Sequence, residues 1–407
     1  MNLCIVTMSG LASQPSGSPK VVTQKARALA GLGHRVLVVT DDPRSYYEVR
    51  DGAFVPRPFP RWSLLLHRTI RRYAGRRLSG HGLPVLEQPQ FHCAFDPGMA
   101  LRVLYCASKE SVDLLHAEKL GYAYPCLPAR FLLGIFTVLV EHDVEYQRLA
   151  DTCDLTPRAH RFMRRFERNA CGRVDAVVTV SGEDRQRLTR LGGAGGKSHV
   201  LPHGVDTAQF ARGRRERVRG MLGLEGAVVG IFHGTGSYKP NRDAIVSLVG
   251  EVVPAISGRG LDLKLLILGG PPPGVASPAV ISPGVVEEGV LADYLAAADI
   301  ALLPIRSGGG TRLKILEYFA AGVPVVSTAK GAEGLGAEDG KHLLLAETAE
   351  EMAGAALRLA GDPELRARII RNALEFARGR DWRLIAMHYL ELYSRGIKRA
   401  GRRWGRA

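Results

Sequence analysis

Short apolar runs of about five residues recur along this chain, each followed by a turn-forming stretch and then a segment whose apolar positions return every three or four residues. The first run, 3–7, leads into a Gly/Ser/Pro loop over 9–19, a helical stretch over 21–31 and a second run at 36–40. Continuous apolar runs suit parallel strands buried on both faces, and a helix between two of them is a βαβ unit. Further runs at 114–116, 137–141 and 176–180 adjoin helical stretches, and 158–171 reads as a strongly basic helix. After a tight connector at 201–206 the alternation starts again. Strands are expected at 228–233, 263–268, 280–282, 300–304 and 325–327, with helices from about Arg242, Gly289, Leu313 and Ala349. The pattern predicts an α/β fold of two doubly wound domains, 1–205 and 206–381, followed by a helix and basic tail over 382–407. The apolar side of that helix (Trp382, Leu384, Ile385, Leu390, Tyr393) suits packing back on the first domain as well as on its own.

A chain of 407 residues can bury such cores without disulfides or metal. Its 46% hydrophobic and 23% charged content excludes wholesale disorder. No apolar run reaches the ~20 residues that cross a bilayer, and no charged region precedes the first apolar run as in a signal peptide. Six scattered cysteines (Cys4, Cys93, Cys106, Cys126, Cys153, Cys171) form no C-x-x-C pair. They are expected as reduced thiols in a cytoplasmic protein, with no metal site.

The net charge of +15 adds an anionic partner to the picture. Between 53 and 86 there are seven arginines and no acid, and Trp62, Leu65, Leu66, Ile70 and Tyr73 recur at helical spacing. A basic amphipathic helix over 61–77 can lie on an anionic membrane, placing the protein peripherally at the inner face. The plainer alternative is a solvated face over a packed apolar stripe. Arg395, Lys398, Arg399, Arg402, Arg403 and Arg406 extend the charge at the other end. No nucleic-acid motif accompanies it, so nucleic acid is not an expected partner.

The densest chemistry runs from Arg306 to Glu317, directly after a strand: R-S-G-G-G-T-R-L-K-I-L-E. Gly308, Gly309 and Gly310 let backbone amides approach a ligand closely. The first amides of the following helix lack partners and favour a phosphate. Ser307 and Thr311 add hydroxyls, Arg312 and Lys314 add charge, and Glu317, two turns in, can accept from a ribose diol. Such a set describes a nucleoside diphosphate. The glycine loop near the N-terminus does not spell G-x-G-x-x-G, which disfavours an NAD enzyme.

These residues resemble the retaining, family-4 kind of GT-B glycosyltransferase. The matching pieces are L-P-H-G-V-D at 201–206, I-F-H-G at 231–234, Y-L-A-A-A-D ending in Asp299, S-G-G-G-T-R-L-K-I-L-E, and A-A-G-V-P-V-V-S-T at 320–328. The resemblance implies two Rossmann-like domains facing a cleft, with a nucleoside-diphosphate-sugar bound by the second and a sugar or lipid-linked acceptor by the first. It also implies a hexosyltransferase that needs no cofactor or metal, in polysaccharide or glycolipid synthesis. The family's pair of glutamates eight positions apart is incomplete here: Glu317 matches the second, and Gly309 stands at the first. The family's G-R-x-x-x-x-K is also missing; Gly234 is followed by Thr235, and Lys239 and Arg242 are the nearest cations. Arg312 and Lys314 are expected to supply that charge.

In the first half, His142 closes the strand at 137–141 at the edge where open α/β sheets bind ligands, and resembles the family's active-site histidine. Gly17 and Ser18 are expected to border the acceptor or the donor phosphate, and Ser181 to cap a helix. The expected function is a retaining transfer to a hydroxyl acceptor, with His142, Lys314 and Arg312 as catalytic groups. The alternatives are a non-catalytic nucleotide-sugar-binding subunit and a GT-B epimerase or phosphorylase.

Overall fold

The computed structural model describes residues 1–10, 17–64, 89–152, 155–270, 274–275 and 277–403. The chain divides into one unit of Met1–Pro202 joined by the chain from Trp382 onward, and a second of His203–Asp381.

The first unit holds an eight-stranded sheet among its described residues. Its strands are β1 (Asn2–Val6), β2 (Arg35–Val39), β3 (Ser45–Arg50), β4 (Ala53–Pro58), β5 (Leu114–Glu118), β6 (Phe136–Glu141), β7 (Ala176–Thr179) and β8 (Ser198–Val200). They run in the order β4-β3-β2-β1-β5-β6-β7-β8. All pairings from β2 through β8 are parallel, with Cys4 opposite both Leu37 and Leu115. The order of strands reverses between β1 and β5, which makes that edge the switch point of a doubly wound sheet. The apolar runs are strands because both their faces are covered; Leu3 to Val6 and Val36 to Val39 are fully buried.

The β3–β4 hairpin, antiparallel to β2, has no counterpart among the strands expected from sequence. Its strands alternate tyrosine, valine and charge, so no continuous apolar run marks them. The buried Glu48 compensates, pairing with Arg35, Arg50 and Arg57 at 3.0, 2.9 and 2.8 Å. Burial opposes its charge, but hydrogen bonds from the three arginines bring Glu48 down to about 2.

The last helix, Trp382–Arg403, is part of this unit and packs on the helix Ser18–Gly31 and on β6. Trp382 Nε1 donates to Gln24 Oε1 at 2.6 Å. Gly396 sits where a Cβ would fall 2.1 Å from Cζ of Phe136, so the missing side chain admits that ring.

The second unit has six parallel strands among its described residues: β9 (Val228–His233), β10 (Leu263–Leu268), β11 (Val280–Gly284), β12 (Ile300–Leu303), β13 (Val325–Ser327) and β14 (Leu344–Leu345). Their order is β11-β10-β9-β12-β13-β14, reversing between β9 and β12. Asp299 locks this core: it accepts from the Val229 amide at 2.8 Å and pairs with Arg215 and Arg219 at 2.5 and 2.6 Å.

Among the described residues no helix is long and apolar enough to cross a membrane. Of the basic segment 61–77 only residues 61–64 are described. There Trp62 meets Tyr105 edge-on at 6.0 Å, and Ser63 Oγ donates to the Pro43 carbonyl at 2.7 Å. The described cysteines Cys4, Cys93, Cys106, Cys126 and Cys171 are buried free thiols.

Candidate functional site

In the second unit, the carboxyl ends of β9 and β12 meet at the switch point, and the residues singled out by sequence gather there. The loop after β12 is shaped by Gly308 and Gly310, whose φ values of 92° and 71° lie where glycine is favoured. A Cβ on Gly308 would fall 3.0 Å from the Tyr238 hydroxyl and 3.1 Å from Pro240 Cγ, so the loop lies close on the start of the helix Lys239–Ser247. The next helix, Leu313–Ala320, has Arg312 at its N-cap and no side-chain cap, leaving its first amides for water or a ligand. Thr311 Oγ1 and Arg312 Nε are buried there without a hydrogen-bond partner among the described residues.

Lys314 points across to β9. Its Nζ donates to Asn241 Oδ1 at 3.0 Å and lies 4.1 Å over the Phe232 ring. A Cβ on Gly234 would come within 2.8 Å of that Nζ and 2.7 Å of Asn241 Nδ2, so glycine here leaves room for both. Burial, and then the nearby Arg312 charge, push Lys314 down to about 7 against the pull of Glu317.

Three expected donor residues take unexpected partners. Arg312 turns back on the loop: it donates to the carbonyls of Ser307 (3.0 Å), Gly310 (3.1 Å) and Gly309. It holds the glycine loop in shape. Lys239 is exposed and paired with Asp243 at 2.5 Å. Glu317, 6% exposed, bonds His233 Nε2 through Oε2 at 2.7 Å, while Tyr318 Oη accepts from the His233 amide at 2.9 Å.

In the first unit, Gly17 (φ 67°) precedes the helix Ser18–Gly31, whose Val21 amide donates to the Gly17 carbonyl. Gly17 and Ser18, the first residue of that helix, stand on the return from β1, and 11–16 lie outside the described residues. Ser181 caps the helix Gly182–Leu191, its Oγ accepting from the Asp184 amide at 3.0 Å.

His142 follows β6 directly and is tied to the end of β5. Its Nε2 lies 2.6 Å from Glu118 Oε2. The other oxygen of Glu118 takes Lys25 Nζ at 2.7 Å, with His116 Nε2 also at 2.7 Å. His116 Nδ1 bonds the Tyr393 hydroxyl on the last helix, and Lys25 lies 4.7 Å over the Tyr389 ring. Glu118 is 0% exposed, and burial alone would raise its pKa. Lys25 and the two histidines overcome that and hold it well below the usual carboxylate range. Burial pushes His142 and His116 below the ordinary histidine value despite Glu118.

Sequence inspection missed Glu118, Lys25, His116, His233 and Asn241. A strand-terminal acid in an apolar run is the one signal that could have found Glu118, since the run expected at 114–116 stops two residues short of it.

Two family models match the chain: Glycosyltransferase Family 4 over residues 15–209 and Glycosyl transferases group 1 over 229–362. A D-inositol 3-phosphate glycosyltransferase of Actinosynnema mirum is 29% identical over 329 residues, 74% of this chain and 76% of that protein. One of the same name from Acidothermus cellulolyticus is 30% identical over 236 residues, and there the match spans only 52% of that protein. Among solved structures, sucrose-phosphate synthase of Thermosynechococcus elongatus superposes with a TM-score of 0.71 at 19% identity, covering 97% of this chain and 99% of that one. The Anabaena HepE protein in complex with UDP gives 0.67 at 19% identity, covering 97% and 100%. At such identity the structures speak for the fold, which is GT-B. With both halves matched in order, the chain belongs to the GT-B glycosyltransferases, family 4 in its amino-terminal half and group 1 in its carboxy-terminal half.

Proposed function

We propose that this glycosyltransferase moves a hexosyl group, with retention and without a metal, from a nucleoside-diphosphate-sugar to a hydroxyl acceptor in polysaccharide or glycolipid synthesis. One observation carries the donor assignment. Lys314, the uncapped start of the helix Leu313–Ala320 and the glycine loop converge at the switch point of the six-stranded sheet. Amides and one lysine can stabilise the charge that grows on a departing diphosphate, the role a metal ion fills elsewhere. The HepE structures with UDP and with UDP-glucose support the donor class.

In the proposed step the bond from the anomeric carbon to the diphosphate oxygen breaks as the acceptor oxygen bonds the same face. The departing phosphate oxygen takes the acceptor proton. His142 accepts a hydrogen bond from a substrate hydroxyl and orients it. The acceptor is a sugar or a lipid-linked saccharide at the cytoplasmic membrane face, supported by the arginines of 61–77. Gly309, at the position of the family's first glutamate, supports a second reading, a subunit that binds donor without turning it over.

Thermal-shift screening of UDP, ADP, GDP and their hexose conjugates tests the donor site. One nucleoside diphosphate and its sugar should raise the melting temperature, and the product anomer, read by NMR, should keep the donor's configuration. A flat response across the panel defeats the proposal. Binding with neither hydrolysis nor transfer over a broad acceptor panel favours the second reading.

A further inference from the structure

We propose that Glu118 is a positioning residue for His142, fixing which ring nitrogen carries the proton and holding the imidazole at the end of β6. The inference rests on the reading above that His142 meets a substrate hydroxyl.

Glu118 and His142 come from neighbouring parallel strands, with Glu118 opposite Val140 in the register. His142 therefore begins just beyond the strand pairing, and a side-chain contact reaches its ring. The contact supplied is Glu118 Oε2, 2.6 Å from Nε2. An ionised carboxylate only accepts, so Nε2 carries the hydrogen and donates it. In a neutral imidazole Nδ1 is then the nitrogen with the lone pair, the one able to accept from a hydroxyl.

A carboxylate buried in a sheet core would take up a proton unless matched by a cation. Lys25 provides the match at 2.7 Å, from the helix that returns from β1. His116, one residue pair back along β5, lies 2.7 Å from the same oxygen as Lys25 and leaves Oε2 to His142. The Tyr393 hydroxyl bonds His116 Nδ1 and ties that ring to the last helix. The arrangement thus draws on the Ser18–Gly31 helix, β5 and the last helix to present a single oxygen to His142. Buried ion pairs can often be replaced by apolar residues of similar volume at no cost in stability. Their use here is to orient the histidine that stands at the sheet edge.

The test compares Glu118→Gln, His142→Ala and the double variant in the full chain. The carboxamide introduced by Glu118→Gln can present a donor to His142 and so favours the opposite tautomer. Glu118→Gln should lower kcat about a hundredfold while leaving the KM for donor within about twofold and the nucleotide thermal shift unchanged. The double variant should be no slower than His142→Ala. Nitrogen-15 NMR should show His142 protonated at Nε2 in the wild type and at Nδ1 in Glu118→Gln. This signature is one that a merely structural role does not move. A wild-type ring protonated at Nδ1 overturns the proposal even if the variant fails to fold. Near wild-type kcat in Glu118→Gln, when His142→Ala is inactive, overturns it alone. Full activity of His142→Ala overturns both it and the reading beneath it.

Discussion

His233 Nε2 lies 2.7 Å from Glu317 Oε2, joining the last residue of β9 to the second turn of the helix that follows the glycine loop. The bond spans the switch point, so the carboxylate proposed to read a ribose is held by the strand on the opposite side. Its orientation is set before any nucleotide arrives.

Losing that carboxylate removes a charge-assisted contact, worth about 1.5–3 kcal/mol. Glu317→Ala should therefore weaken nucleoside-diphosphate binding by roughly tenfold to a hundredfold. His233→Ala should weaken it less, and the double variant no more than Glu317→Ala, because the histidine acts through the carboxylate. Titration calorimetry measures all three. Wild-type affinity in Glu317→Ala would remove Glu317 from the donor site.

Nucleotide binding beside Lys314, as proposed, should take up a proton. In the unliganded protein its pKa is about 7, lowered from 10.5 mainly by burial. A diphosphate beside it raises that value, so binding at pH 8 takes up a proton and affinity falls as pH rises beyond 7. The same shift acts on folding. Between about 7 and 10.5 the unfolded chain binds the extra proton, so stability rises with pH across that window, and below it the cost of the buried charge is present in full. Calorimetry at pH 8 in two buffers of different ionisation enthalpy should give unequal apparent enthalpies, and Lys314→Met should make them equal. Equal enthalpies in the wild type would exclude a proton-linked lysine.

The geometry around the glycine loop was legible in sequence because its parts are local. Gly308, Gly310, the helix start and Lys314 lie within seven residues, and the strands either side are apolar on both faces. Arg312 shows the limit of local inference: the composition gave its charge, but its direction depends on carbonyls exposed by the left-handed glycines beside it. The His142 environment was not legible. Lys25, Glu118, His142 and Tyr393 lie far apart in sequence and meet only through sheet order and the returning last helix. The β3–β4 hairpin escaped for another reason, since Glu48 and three arginines stabilise a half-exposed ribbon that has no apolar run.

Gly234→Ala separates site geometry from stability. The new methyl would meet Lys314 Nζ at 2.8 Å, the end of a long side chain that can swing aside, and the buried Asn241 carboxamide, with Nδ2 at 2.7 Å and Cγ at 2.9 Å, which must shift. Folding should lose about 1–3 kcal/mol, from the positive φ and the shift of Asn241, whereas displacing Lys314 should weaken nucleotide binding at least tenfold. Paired denaturation and calorimetry read the two effects. A variant that binds normally with Lys314 displaced in its structure would deny the lysine a part in the site.

The proposed membrane contact predicts a salt effect. Seven arginines without an acid between 53 and 86 should carry the protein upward with vesicles containing anionic lipid in a flotation gradient, and high salt should release it. Reversing Arg71, Arg72, Arg76 and Arg77 to glutamate should abolish flotation and spare nucleotide binding. Equal flotation on neutral and anionic vesicles would point to the apolar residues of the segment instead of its charge.

Gly396 provides a test of how the last helix is seated. At an ordinary helix position alanine is more stabilising than glycine by about 1 kcal/mol. Here the methyl would lie 2.1 Å from Cζ and 2.4 Å from Cε1 of Phe136, a residue 7% exposed. That ring cannot withdraw freely, because Phe136 opens β6 and is fixed opposite Leu114. Overpacking of this kind costs about 1–3 kcal/mol, so Gly396→Ala should destabilise the protein on balance despite its helix propensity. Shortening the ring in the same background, with Phe136→Leu, should recover part of the loss, since the cavity left by one change is filled by the other. Chemical denaturation of the two single variants and the double one gives the coupling directly. A Gly396→Ala protein more stable than wild type would mean that the helix does not rest on Phe136 in solution.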